Sequence, residues 1–424
     1  MDSYKDYNPY HANGAIMPRK KDNQQWLLDY LIRTTGRTHC FEIDGRFIPE
    51  GVATHDQIPT ACYRKAIKME QVARAAHKEG DYITARDIYH SCAYLYHLAQ
   101  HAIFTDKNPD KLVIHKQLQS CYEQVCEIND YPLERVEIPW EGKYIQGLFH
   151  MIPGRPVAPV VLYLPGMDMC KETAIDPANN PFIKRGFHVL VIDGPGQGTS
   201  NIRGIKVTHD SYERAASACV DWLIQRPEVD PEKIVSLGFS MGTFWNMRLF
   251  ASDKRIKASS GLAACYCTKD NPLSIMMETW SLRTKQVFMY MCGIEDEVEF
   301  DKFVSVWHHE DHAPLIDRPF LFATGEFDPL TPLASAEKLF SMMTGPKELW
   351  VIQDGIHSGV RENISNFGGI PATCFLIDWL KKALDGKFEE GHSVKRYIPK
   401  TPGLACYGHE VPSFDLATRV PREF

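Results

Sequence analysis

Along the first 130 residues, apolar positions recur every three to four residues, the period of a helix with one buried face. Residues 24–32, 60 to about 80, 82–99 and about 109 to 126 carry this spacing, and Gly80-Asp81 separates the middle pair. An antiparallel helical domain is expected over 1–130. The 82–99 helix and its end are crowded with rings: Tyr82, Tyr89, His90, Tyr94, Tyr96, His97 and His101. They form either an aromatic core with an amphipathic rim, or one edge of a roof over a pocket for an aromatic substrate.

The period changes at Tyr131-Pro132. Residues 133–139 alternate as a strand, Glu141-Gly142 makes a hairpin turn, and 144–151 return. Short continuous apolar runs follow at 160–164, 188–192, 233–239, 258–265, 319–324 and, as the last strand, 349–352. Such runs are typical of strands buried on both faces. Helical patterns at 211–225 and 371–384 lie among them, and a further helical segment, with Phe182-Ile183 near its end, is expected before 188. Strands alternating with helices after an antiparallel hairpin predict an α/β body over 131–390, with a mostly parallel central sheet and helices on both faces. An insertion of about fifty residues, 268–316, reads as helical. It holds Met276, Met277, Trp280, Phe288, Met289, Tyr290, Met291, Phe300, Phe303 and Trp307. Loops inserted at strand C-termini surround the site in such sheets, so this segment is expected to cap it, most of its apolar residues forming the cap's own core. From Gly391, the prolines Pro399, Pro402, Pro412 and Pro421 and weak periodicity predict an extended arm over 391–424, lying on the body or on a partner subunit.

Composition narrows the class. The chain has 424 residues, 44% hydrophobic and 24% charged, the balance of a soluble globular protein. A net charge of −7 gives no support to nucleic-acid or anionic-membrane binding. No run approaches the roughly 18 apolar residues of a membrane span, and the polar start, Met1-Asp2-Ser3-Tyr4-Lys5-Asp6, lacks a signal-peptide core. Twelve scattered cysteines without Cys-x-x-Cys spacing read as reduced thiols in a cytoplasmic protein. No His-Glu-x-x-His or other metal-ligand spacing appears, and no cofactor is expected.

The candidate chemistry sits at the strand ends. Gly238-Phe239-Ser240-Met241-Gly242 joins an apolar run to a helical one, the strand–turn–helix setting of a nucleophile elbow. A serine hydroxyl needs a base, and the base needs a carboxylate to fix its tautomer. In such sheets the order is Ser, then Asp or Glu, then His. Asp328 follows the strand ending at 324 and His357 the strand ending at 352, with Glu326 the rival carboxylate. Two backbone N–H groups must face the developing oxyanion. Met241, after the nucleophile, and Met167, after the strand 160–164, are the candidates. Asp193-Gly194-Pro195-Gly196-Gln197-Gly198 resembles a phosphate loop superficially. It lacks a Gly-Lys-Ser/Thr ending and is not expected to open a helix, so it reads as a structural turn.

Through Asp193–Gly198 and Gly238–Gly242 the sequence resembles the α/β-hydrolases over roughly 130–385. Pro165-Gly166-Met167-Asp168-Met169-Cys170-Lys171-Glu172 is similar to a Gly-x-Asp-x-x-Lys-Glu loop. With Gly80-Asp81-Tyr82-x-x-Ala85-Arg86-Asp87-x-Tyr89 in a helical domain ahead of the body, that loop resembles one branch of these enzymes. The branch contains FrsA-like esterases, fungal Ayg1-type polyketide-shortening hydrolases and 2,6-dihydroxypseudooxynicotine hydrolase. The chain departs from its pattern at Pro165, where a second glycine is usual, and this bears on Met167. The resemblance implies Ser240, Asp328 and His357 as the triad and a site between body and helical domain. It also implies cleavage of a carbon–carbon bond next to a ketone in an aromatic or polyketide-like small molecule, or of an ester or thioester with a bulky acyl group. It assigns no substrate-binding residues. By analogy, a homodimer would form through the helical domain or the tail. A catalytically dead fold used for binding is the third reading, and the complete triad argues against it.

Overall fold

The computed structural model describes residues 49, 52, 54–263, 265–274, 282–328, 330–353, 355, 357, 367 and 370–399. The expected helix at 24–32, the residues Met276, Met277 and Trp280, and the arm beyond 399 lie outside the described residues.

Three helices come first: α1 (Ile58–Glu79), α2 (Tyr82–His101) and α3 (Pro109–Ile128). Gly80 ends α1 in the left-handed region, φ 89°, with its N–H on carbonyls of the last turn. Pro109 follows the N-cap Asn108, whose side chain accepts from the Lys111 N–H. Small residues at the α1–α2 crossing, including Cys62, Ala66 and Ala73 against Ala85, Cys92 and Ala93, let the helices approach closely. Tyr89 and Tyr96 are buried in the same core, while Tyr82 is exposed. Tyr89 and Tyr96 of α2 therefore belong to the core, as the first of the two readings expects.

The sheet has nine strands in the order β1-β2-β4-β3-β5-β6-β7-β8-β9. β1 (Leu133–Trp140) and β2 (Lys143–His150) form the expected hairpin, and β2 also runs antiparallel to β4 (His188–Ile192). β4 then pairs in parallel with β3 (Ala158–Leu164). The parallel set continues through β5 (Val229–Phe239), β6 (Ala258–Leu262), β7 (Phe320–Gly325), β8 (Lys347–Ile352) and β9 (Ser393–Ile398). The continuous apolar runs have a simple cause. Val160, Leu162, Leu190 and Ile192 enter one core, while Val161, Tyr163, Val189 and Val191 enter the core on the other face.

Four expectations are revised. Between β3 and β4 there is no long helix but a four-residue α4 (Lys171–Ala174) and two 3₁₀ turns. Pro177 and the side chains of Asp176 and Asn180, which accept from nearby backbone N–H groups, break the segment up. The turn after β4 does open a helix, α5 (Gly198–Ile202), because the Asp193 carboxylate accepts from the Thr199 N–H at 2.8 Å. The sixth strand stops at Leu262, where Ala263 takes φ 56°. The start of the expected arm is a ninth strand: Ser393–Ile398 pairs with β8, and its Arg396 and the preceding His392 meet the buried Glu348 of β8. Lys395 and Arg396 give this edge the charge that discourages further pairing. The remaining helices are α6 (Ser211–Ile224), α7 (Met241–Ser252), α8 (Leu282–Cys292) and α9 (Glu297–Val304) in the insertion, α10 (Leu333–Met342), which was not expected, and α11 (Ala372–Leu384). Phe288, Phe300 and Trp307 of the insertion pack on Phe244 and Trp245 of α7, so the cap shares the core under the elbow. No helix among the described residues is long and apolar enough to cross a membrane.

One buried ion cluster joins the parts. Lys171 Nζ lies 2.7 Å from Asp193 Oδ2, at the end of β4, and 2.6 Å from Glu172 Oε1. Glu172 also accepts from Gln119 of α3 at 2.6 Å. All three charged side chains are shut off from solvent. Burial opposes the charge on Lys171, but Asp193 and Glu172 outweigh it and hold its pKa above the usual lysine value. Lys171→Met would strand two buried carboxylates, so it should lower unfolding free energy by about 3–5 kcal/mol in urea titration. A loss below about 1 kcal/mol would show that the cluster does not hold these segments together.

Candidate active site

β5 ends at Phe239 and the chain turns straight into α7. Ser240 takes φ 51° and ψ −124°, a conformation that costs a non-glycine residue of order 1–3 kcal/mol. The neighbouring glycines make the turn possible. A Cβ on Gly242 would lie 2.0 Å from the Leu164 carbonyl oxygen, and one on Gly238 2.6 Å from the Gly242 carbonyl oxygen. α7 is thus pressed against the end of β3, with Ser240 at the tip and its N–H on the Leu262 carbonyl of β6 at 3.0 Å.

Two further strand ends bring their residues to this tip. Ser240 Oγ lies 2.8 Å from His357 Nε2. His357 Nδ1 lies 2.9 Å from Asp328 Oδ2 and 3.2 Å from Oδ1. A carboxylate only accepts, so the imidazole proton belongs on Nδ1 and leaves Nε2 to accept from the serine hydroxyl. Asp328 Oδ1 also accepts from the N–H groups of Leu330 and Thr331, at 2.8 and 3.3 Å, so the carboxylate is held by its own turn as well as by the histidine. The Asp328 side chain is fully enclosed. Glu326 faces elsewhere: it accepts from the Tyr397 hydroxyl of β9 at 2.7 Å. Of the two rival carboxylates, Asp328 is the one on His357.

Met241 is the first residue of α7, so its N–H is one of the donors a helix start leaves free. Met167 lies in the loop between β3 and α4. Its predecessor Gly166 lies against the serine, where a Cβ would come 3.0 Å from Ser240 Cβ. The Gly166 carbonyl accepts from Gln197 Nε2 at 2.8 Å and from the Met169 N–H at 3.1 Å. Gln197 belongs to the turn that reads in sequence as merely structural.

Beyond Met167 a narrow pocket opens between the helical region, the body and the insertion. His97, His101 and Phe104 line one side, Met167 and Gln197 another, and Tyr290 closes it from α8. Burial, then repulsion from His101, lowers the pKa of His97 to about 3, so the ring is neutral. Its Nε2–H donates to the Asp168 carbonyl at 2.8 Å. Partial burial opposes ionisation of Asp168, but the hydrogen bond and charge of His101, with help from His357, hold its carboxyl below the usual range. Lys111 donates to the Gln100 and Ile103 carbonyls and sits 4.6 Å over the Tyr290 ring. Burial, then Lys206, lowers its pKa to about 7. Asp168 lies in the Gly-x-Asp-x-x-Lys-Glu loop and Gln197 in the Asp193–Gly198 turn, whereas His101 and Lys111 carry no motif of their own. His101 is marked only by its place one turn after His97.

The Esterase FrsA-like family model matches residues 62–286. Hydrolase pyiE of Pyricularia grisea is 28% identical over 217 residues, 47% of this chain and 44% of that protein. The 20-hydroxy-prefusarin hydrolase FUS2 of Gibberella moniliformis is 28% identical over 225 residues, 48% of this chain and 52% of that protein. The chain spans about half the length of the curated relatives it matches. The solved structure of 2,6-dihydroxy-pseudo-oxynicotine hydrolase superposes with a TM-score of 0.70 over 87% of this chain and 99% of its own, at 20% identity. Wild-type AbyA5 superposes with a TM-score of 0.64 over 87% and 96%, at 14% identity. At these identities the likeness is one of fold, and the fold is that of an α/β-hydrolase with a helical N-terminal region.

The elbow geometry has a direct consequence. Gly242→Ala forces a methyl into the Leu164 carbonyl and should destabilise the protein by about 1–3 kcal/mol, the usual range for overpacking. Thermal and urea unfolding would measure it, and an unchanged stability would mean that α7 is not seated on β3 as described.

Proposed function

The chain belongs to the FrsA-like esterase family, and from that premise we propose a serine hydrolase with Ser240 as nucleophile, His357 as base and Asp328 as the group that orients the histidine. The observation that carries this reading is the continuous hydrogen-bond chain from Asp328 through His357 to Ser240. Ser240 Oγ adds to a carbonyl carbon while His357 Nε2 takes its proton. The carbonyl oxygen becomes an oxyanion between the N–H groups of Met241 and Met167, helped by the positive end of α7.

The bond broken next is proposed to be a carbon–carbon bond beside a ketone, in an aromatic or polyketide-type molecule. Its electron pair leaves on carbon as an enolate or phenol-stabilised carbanion, and His357 returns its proton to that carbon. Water, deprotonated by His357, then hydrolyses the acyl-serine. In a variant of this scheme His357 directs water at the ketone without an acyl-enzyme. Two likenesses support a small-molecule substrate: one relative is named for a prefusarin derivative and one structural neighbour for a pseudo-oxynicotine. The second reading keeps the same three residues and cleaves an ester or thioester of a bulky acyl group, which the family name favours. The insertion and the helical region would exclude water from either reaction.

The reading extends to setting. The free and mostly buried cysteines among the described residues fit the reducing cytoplasm. We place the helical domain at 1–130 and the cap at 268–316, and extend the hydrolase body through β9 to residue 398. A homodimer through the helical domain or tail is the proposed assembly, to be checked by sedimentation.

Ser240→Ala should lower kcat by roughly 1,000-fold or more in a folded protein. Asp328→Asn should be severely impaired through the wrong histidine tautomer, while Glu326→Gln should stay near wild type. An active Asp328→Asn beside an inactive Glu326→Gln would reverse the assignment. A panel of aryl β-diketones and matched aryl esters separates the two reactions: turnover of esters alone would remove the carbon–carbon reading.

A further inference from the structure

We propose that Gln197 aims the Met167 N–H at the reaction centre and that His97 and His101 brace the same loop from the helical region, so that the oxyanion hole is completed across two parts of the chain. This rests on the serine-hydrolase reading above.

In a trans peptide the C=O and N–H point in opposite directions, and the described residues contain no cis bond. The peptide that carries the Met167 N–H carries the Gly166 carbonyl on its other edge. That carbonyl is held by Gln197 Nε2 at 2.8 Å, and the Pro165 carbonyl reaches the same nitrogen at 3.3 Å. The Met167 N–H is therefore turned away from Gln197. The Gln197 amide is itself fixed, because the Tyr212 hydroxyl donates to its Oε1 at 2.6 Å and leaves Nε2 facing the loop. Tyr212 is held in turn. Its ring stacks on Trp245 with centroids 4.9 Å apart, and it passes so close to Gly194 that a Cβ there would lie 2.2 Å from Cζ. The glycine in the turn makes room for the ring that orients the glutamine.

The next residue is held from the opposite side. The Asp168 carbonyl accepts from His97 Nε2 at 2.8 Å, and its carboxylate bonds His101 Nε2 at 3.3 Å. Both histidines are on α2, and their rings stack at 5.2 Å. The loop is thus gripped by the β4 turn at residues 165–166 and by α2 at residue 168. Gln197, Tyr212, His97 and His101 are positioning residues, since they act on the Met167 peptide and not on the carbonyl under attack.

Loss of an oxyanion donor costs about 100- to 1,000-fold in rate, so a misaimed one should cost less. The test is inactivation by a fluorophosphonate, whose phosphoryl oxygen occupies the oxyanion position. The kinetics are resolved into the saturating rate and the half-saturating concentration. Gln197→Leu should lower the saturating rate roughly 10- to 100-fold, with the half-saturating concentration changed less than about threefold. Tyr212→Phe keeps the ring, and His101→Ala removes a partly exposed side chain. Each should cost about three- to tenfold in the same parameter, and these two decide the matter if Gln197→Leu folds poorly. Folded variants labelled at the wild-type rate would overturn the aiming role while leaving Ser240 as nucleophile. A wild-type protein labelled no faster than Ser240→Ala would overturn the nucleophile and the aiming role together.

Discussion

The buried ammonium of Lys171 is the constraint on which the rest depends. A charge of this size taken into a low-dielectric interior is tolerated only when it is paired and hydrogen-bonded on nearly every side. Its partners come from three places: Glu172 beside it, Asp193 at the end of β4, and Thr199 at the start of α5. Its own backbone N–H reaches the second Asp193 oxygen at 2.9 Å. Because Glu172 continues to Gln119 of α3, the helical region is tied to the sheet at the root of the loop that runs past Ser240. A shift of any one of these segments would unpair a buried charge, so the arrangement is specified more sharply than apolar packing alone would specify it.

The same loop shows how strain and rigidity are shared. Ser240 holds an unfavourable backbone conformation because strands on both sides and the helix behind it leave no alternative. Gly242 admits α7 to within contact of β3, and Leu262 of β6 holds the serine N–H. The histidine and aspartate need less from the fold, since each simply follows a buried parallel strand. Asp328 is held by the backbone of its own turn independently of His357. The oxyanion side is the demanding part, because an N–H direction must be set by side chains that lie far away in sequence.

That contrast explains what could be read from the residues alone. Strands β3 to β8 were legible as short apolar runs because their apolar stretches are buried on both faces, and the order Ser240, Asp328, His357 was legible because each follows such a run. The helices α1 to α3 were legible from their period. The 165–202 region was not, because its local shape follows distant polar contacts: Asp193 on Lys171 and Gln197 on Gly166 are separated by 22 and 31 residues. β9 was missed because Ser393-Val394-Lys395-Arg396-Tyr397-Ile398 is a charged edge strand, with no buried face to give it an apolar run. The contact of His101 was not legible because its partner, Asp168, is 67 residues away. Its neighbours on the same helix, Tyr89 and Tyr96, drew attention by their rings and serve the core.

The central claim is that one activated serine does the chemistry. Peptide mapping by mass spectrometry after treatment with a fluorophosphonate tests it most directly. A single adduct on Ser240 that requires folded protein and disappears in His357→Ala is the predicted result. An adduct on another residue, or an unmodified Ser240 in folded protein, would contradict it.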